Sequence, residues 1–122
     1  MKTGKFTLQP TRRCFPLLAE DAREKIYLIL GKQIQFEGHF DKVFEHLSEP
    51  QQQSILSWVD DCKKGKVLAL SSDKIPSLIG FVLKFNQTNF RAILTKKNNE
   101  YFIALFLDKH KYYENERRTL GI

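Results

Sequence analysis

Residues 90–107 read F-R-A-I-L-T-K-K-N-N-E-Y-F-I-A-L-F-L. Two apolar runs, 90–95 and 101–107, flank the turn-rich Lys96-Lys97-Asn98-Asn99. Two such runs around an Asn-Asn turn predict a β-hairpin. The alternation begins upstream, where Ile79, Phe81, Leu83 and Phe85 alternate with Leu78, Gly80, Val82 and Lys84. Residues 66–71 predict a further short strand, so the second half of the chain reads as an antiparallel sheet.

Before residue 65 the period changes. Residues 5–9 alternate and predict a short strand ending at Pro10. Residues 18–31 then carry Ala22, Ile26, Ile29 and Leu30 at helical spacing, with Gly31 as a stop. Residues 36–47 show the strongest helical stripe, with Phe36, Phe40, Val43, Phe44 and Leu47 on one side. Ser48-Glu49-Pro50-Gln51 predicts the start of a third helix. Ser48 suits the N-cap, Pro50 tolerates the first turn, and Gln51 stands where a capping-box partner belongs. That helix runs to about Lys64 with Ile55, Val59 and Cys62 inward, Lys63 and Lys64 suit its dipole, and Gly65 ends it. Helices first and strands second predict an α+β fold, with N-terminal helices packed on one face of a twisted, mainly antiparallel sheet. The reading is of one domain over 1–122: a helical part at 18–64, the main sheet at 66–113, and a C-terminal tail at 114–122.

A chain of 122 residues, 42% hydrophobic and 28% charged, is long enough for one modest core and too apolar for a disordered chain. No apolar run approaches the roughly 20 residues that span a bilayer. The first residues lack the apolar segment of a signal peptide, and the expectation is a cytoplasmic protein with no membrane partner. Cys14 and Cys62 have no metal-ligand spacing. They read most simply as reduced thiols, and a single bridge between them stays open. No Gly-rich phosphate loop, His-Glu-x-x-His or Gly-x-Ser-x-Gly is present, so the sequence gives no reason to expect a metal or cofactor.

Charge is divided unevenly. Residues 1–62 carry eight Lys/Arg against nine Asp/Glu, whereas residues 63–122 carry twelve against five. The basic excess therefore lies in the second half, and it suits a polyanionic partner or, equally, a solubility charge. The same half ends in Asp108-Lys109-His110-Lys111-Tyr112-Tyr113, with Arg117 and Arg118 close behind. A set rich in His, Lys, Arg and Tyr fits RNA cleavage by the 2′-hydroxyl. Histidine carries protons near neutral pH, cations stabilise the developing phosphorane charge, and tyrosine stacks or donates.

Each residue also has a structural reading. His110 fits a strand-end surface position, Asp108 a turn cap, Tyr112 and Tyr113 the core rim, and Arg117 a solvated helix end. Arg91 is harder to place, because it sits mid-strand on the face opposite Phe90, Ala92 and Leu94. A cation there needs a cleft or a partner such as Glu100 or Asp108. His39 and His46 fall on an exposed helix face and carry no role. Trp58 reads as core or a partner contact.

Three stretches resemble the RelE/ParE superfamily of bacterial toxins. Pro76-Ser77-Leu78-Ile79-Gly80 is similar to the segment before the family's second sheet strand. Asn89-Phe90-Arg91-Ala92-Ile93-Leu94 is similar to its aromatic-Arg-apolar strand, and residues 103–113 to its last strand and terminal His-basic-x-x-Tyr segment. The resemblance covers roughly residues 66–113. It implies a small α+β domain and, for RelE-like members, a metal-independent endoribonuclease. Such toxins act on mRNA, often on the ribosome, and are neutralised by an antitoxin.

Carried over by position, Arg91 becomes the phosphate-binding arginine, and His110 and Lys111 the basic pair at the scissile phosphate. Tyr113 becomes the late tyrosine that stacks or aids proton transfer. His110, Arg91 and Tyr113 are thus the expected catalytic set, with Lys84, Lys109, Lys111, Tyr112 and Arg117 as RNA contacts. The helix expected at 36–64 and the tail after Tyr113 depart from the family pattern. ParE-like members poison gyrase without nuclease chemistry, so a non-enzymatic toxin and a basic nucleic-acid-binding module are the rival readings.

Overall fold

The computed structural model describes residues 17–84, 90–107 and 110–122, with the side chains of Lys84, His110 and Lys111 outside the description. The strand expected at 5–9, and with it Cys14, lies outside the described residues, as do Phe85, Asp108 and Lys109. The element order is α1 (Ala19–Leu30), β1 (Ile34–Phe36), α2 (Phe40–His46), α3 (Glu49–Lys63), β2 (Leu70–Ser71), β3 (Leu78–Lys84), β4 (Arg91–Lys97), β5 (Glu100–Phe106) and α4 (His110–Leu120). The fold is α+β.

The five strands form one sheet in the order β1-β5-β4-β3-β2. The β2–β5 portion is antiparallel throughout, and the hairpin closes with Lys97 opposite Glu100, leaving Asn98 and Asn99 as its turn. Asn98 takes φ 58°, a left-handed conformation that asparagine tolerates better than most residues. β1 pairs with β5 in parallel, Ile34 opposite Tyr101, so the sheet is mixed. This corrects the expected helix over 36–47. Phe36 ends a strand, and Glu37 makes the corner: its N–H donates to the Ile103 carbonyl, while its own carbonyl accepts from Phe40 N–H and starts α2. Phe36 still packs edge-on against Phe40, 4.8 Å between centroids, and Phe40 stacks on Phe44. The aromatic stripe therefore looked helical across a strand–helix corner.

Register assigns the two faces. Phe81, Leu94 and Ile103 are neighbours across the ladder, and all three belong to the main core with Ile26, Phe40, Phe44, Ile55 and Val59 of α1–α3. Trp58 and Cys62 are buried in the same core. Cys62 is a free thiol, and burial pushes its pKa up to about 12. α3 begins as its sequence predicts, with both bonds of the Ser48–Gln51 capping box present. Gln52, the next residue, was not anticipated. It is fully buried and joins three segments: its Oε1 accepts from Leu17 N–H, and its Nε2 donates to the Leu17 and Phe44 carbonyls. α1 has no side-chain N-cap of its own, and Glu45 of α2 accepts from the Ala19 N–H instead.

The second face carries Gly80, Thr95 and Phe102 in one row and Lys84, Arg91 and Phe106 in another. Helix α4 lies on this face, so the helices are not confined to one side, and residues 114–122 are largely helix rather than a simple tail. The Tyr113 ring meets Phe106 edge-on at 5.9 Å. The helix ends in a Schellman motif, with Ile122 N–H donating to the Arg117 carbonyl and Gly121 N–H to that of Arg118. The β2–β3 loop clasps this end. Ser72 Oγ donates to the Leu120 carbonyl, Lys74 Nζ to the Arg118 carbonyl, and Asp73 N–H to the Gly121 carbonyl.

Gly121 has φ 76°, and a Cβ there would stand 2.7 Å from Asp73 Oδ1 and 2.9 Å from Lys74 N. Gly121→Ala is expected to cost about 1–3 kcal/mol, read as a lower urea midpoint, because it meets both the left-handed backbone penalty and a backbone clash.

Candidate functional site

Arg91 opens β4, half-buried, on the α4 face of the sheet as its strand parity predicted. Its Nη1 donates to the Phe90 carbonyl at 2.8 Å, which fixes the guanidinium beside the strand end. The ladder puts position 84 opposite Arg91 on one side and Phe106 on the other. Glu100, one expected partner of Arg91, lies instead at the far end of the hairpin, opposite Lys97.

α4 supplies the remaining groups. Tyr113 is 0% exposed, with the Arg117 guanidinium 5.9 Å from its ring centroid. Burial raises the Tyr113 pKa, and the neighbouring Arg117 and Arg91 guanidiniums pull it part of the way back. Two cations thus sit within electrostatic reach of one buried phenol. Arg117 also donates to the Ile122 main-chain oxygen, which ties it to the end of the helix.

The structure brings Arg117 against the Tyr113 ring with Arg91 within electrostatic reach, and it places His110 and Lys111 in the first turn of α4 rather than at the strand end expected from the sequence. The side chains of Lys84, His110 and Lys111, and all of Lys109, lie outside the described residues. Tyr113 needs a correction. A fully buried ring offers no face for a base, so Tyr113 does not stack on a substrate as expected. Tyr112, 56% exposed, is the tyrosine available to a ligand.

Tyr112 opens on a different space. Because β1 stops pairing at Ile103, the end of β5 is an open sheet edge. A cleft of about 810 Å³ lies along it between α2 and α4. One wall holds Glu37, His39 and Lys42. Glu37 is committed to its neighbour, accepting from the His39 backbone N–H at 2.9 Å and lying 2.8 Å from His39 Nδ1. Sequence reading passed over His39, because a carboxylate two residues before a histidine has no fixed geometry until the corner at Glu37 forms. Among the described residues, no group of three or more His, Cys, Asp or Glu is arranged to hold a metal, and no helix is long and apolar enough to cross a membrane. No protein-family model, curated protein or solved structure matches the chain.

Proposed function

We propose that the chain is a RelE-like toxin: an endoribonuclease that cleaves mRNA without a metal, acts in association with the ribosome in the cytoplasm, and is neutralised by an antitoxin. The observation that carries this reading is that Arg117 and Arg91 both lie within electrostatic reach of the buried Tyr113 at one end of the sheet. Position 84 and the first turn of α4, with His110 and Lys111, end in the same region.

The chemistry follows from charge. Attack of the 2′-hydroxyl on the adjacent phosphorus forms a 2′,3′-cyclic phosphate and expels the 5′-oxygen. The phosphorane between them carries extra negative charge, which fixed guanidiniums stabilise more than they stabilise the ground state. Arg91 is the phosphate-binding group in this reading, with Arg117 adding positive potential. His110 carries the proton from the 2′-hydroxyl to the leaving oxygen. Tyr113 gives Arg117 a buried ring to lie against.

The test is addition of the purified chain to a translation extract, with new mRNA 5′ ends mapped by primer extension. Discrete new ends are expected. Blocked translation with intact mRNA would instead select the ParE-like reading, a non-enzymatic toxin that binds a protein such as gyrase. The full burial of Tyr113 is the observation that favours that second reading.

A further inference from the structure

Helix α4 has two faces. Tyr113 and Arg117 face the sheet, whereas Tyr112, Asn115, Glu116 and Thr119 line the cleft. Their spacings of three, four and seven residues make one continuous polar stripe. Across from it, Leu105 and Leu107 at the end of β5 and Val43 of α2 give the cleft apolar surface. A space with apolar surface on one side and a hydrogen-bonding stripe on the other matches a ligand with apolar faces and a polar rim. A nucleobase has that form.

We infer that this cleft is a guanine-binding subsite, read by Glu116 and stacked by Tyr112. The inference deepens the ribonuclease reading and rests on it, since it names the base that the substrate presents beside the cut. Glu116 is half-buried, and among the described residues no hydrogen bond or ion pair engages it. Glu37, the other carboxylate in the cleft, is held by His39. A carboxylate only accepts hydrogen bonds. Guanine alone presents two adjacent donors, N1–H and N2–H, on one edge, and these match the two oxygens of Glu116. Adenine presents a single donor beside its N1 lone pair, which a carboxylate repels. The Asn115 amide is oriented, because its Oδ1 accepts from Arg118 Nη1 at 2.9 Å and its NH₂ is left as a donor group. Tyr112 offers an exposed ring for the base, and Lys42 on the opposite wall offers an ammonium for the attached phosphate.

Calorimetric titration of the full chain with GMP, AMP and short ribo-oligonucleotides tests this. GMP is expected to bind at least tenfold more tightly than AMP. Glu116→Gln is expected to abolish that preference, and Tyr112→Ala to weaken GMP at least tenfold. Circular dichroism checks that both variants keep the fold. Equal binding of GMP and AMP, binding of neither, or a preference unchanged in Glu116→Gln would overturn the subsite. An RNA subsite also requires a guanine-containing trinucleotide to bind more tightly than GMP, and the reverse order would overturn the link to RNA. Selective GMP binding by a chain that cuts no RNA would remove the nuclease reading and leave the guanine site. Cleavage indifferent to guanine, with no GMP binding, would do the opposite.

Discussion

In the proposed ribonuclease, Arg91→Ala is expected to slow RNA cleavage by about 10²–10³-fold, the usual loss when one fixed charge-stabilising donor is removed from a transition state. The reason is geometric. Arg91 begins β4 with its side chain held by the Phe90 carbonyl, so its position is set by the sheet rather than by a loop. A guanidinium placed in advance needs no reorganisation when the phosphorane forms. Arg91→Lys keeps the charge and loses the planar fork, so it is expected to fall between alanine and the native residue. Tyr113→Phe keeps the buried ring, and a smaller loss than Arg91→Ala is expected because the phenol acts through the arginines. Single-turnover cleavage rates, with a thermal melt on each variant, separate chemistry from unfolding. A native rate in Arg91→Ala would exclude this arginine from the mechanism.

The largest effect on stability is expected at Gln52. Replacing it with leucine keeps a similar volume but leaves the Leu17 N–H and carbonyl without their buried partner, and the Phe44 carbonyl with the Leu47 N–H alone. Each lost group costs on the order of 1–3 kcal/mol, and the combined loss is expected to be about 3–4 kcal/mol. That is a large part of the roughly 5–15 kcal/mol that holds a typical domain together. Gln51→Ala, one residue away, removes a half-buried capping-box partner and is expected to cost about 1 kcal/mol or less. Urea denaturation of the two variants makes the comparison. A Gln52→Leu protein as stable as Gln51→Ala would mean that water or a shifted backbone satisfies the Leu17 groups.

These two residues also show what the sequence could and could not convey. The hairpin was legible because its signal is local: alternating runs on both sides of Asn98-Asn99. Helices α1 and α3 were legible for the same reason, through Gly31 and the Ser48–Gln51 box. Arg91 could be placed on the second face from strand parity alone. Gln52 could not be placed, since its partners Leu17 and Phe44 are distant in sequence and a glutamine on a helix ordinarily faces water. β1 was missed because three residues are too few for alternation and Phe36 continues the aromatic stripe of α2. The α4 stripe of Tyr112, Asn115, Glu116 and Thr119 was read only as part of a tail, because a polar helical face gains meaning only once the open edge of β5 lies beside it. The burial of Tyr113 was hidden in the same way, because it depends on Phe106 and on a helix docked across the sheet.

The position of β5 bears on how the chain acquires its structure. Among the described strands the last in sequence, β5, is inserted between the first, β1, and β4. A nascent chain halted before Glu100 would carry α1–α3 with β1 and a β2–β3–β4 meander, but no strand to join them. Closure waits for contacts between residues far apart in sequence, such as Ile34 with Tyr101, which slow folding. The arginine pair forms later still, when α4 seats on the sheet. Any activity that depends on Arg91 and Arg117 together is therefore absent until α4 has been made and has seated on the sheet.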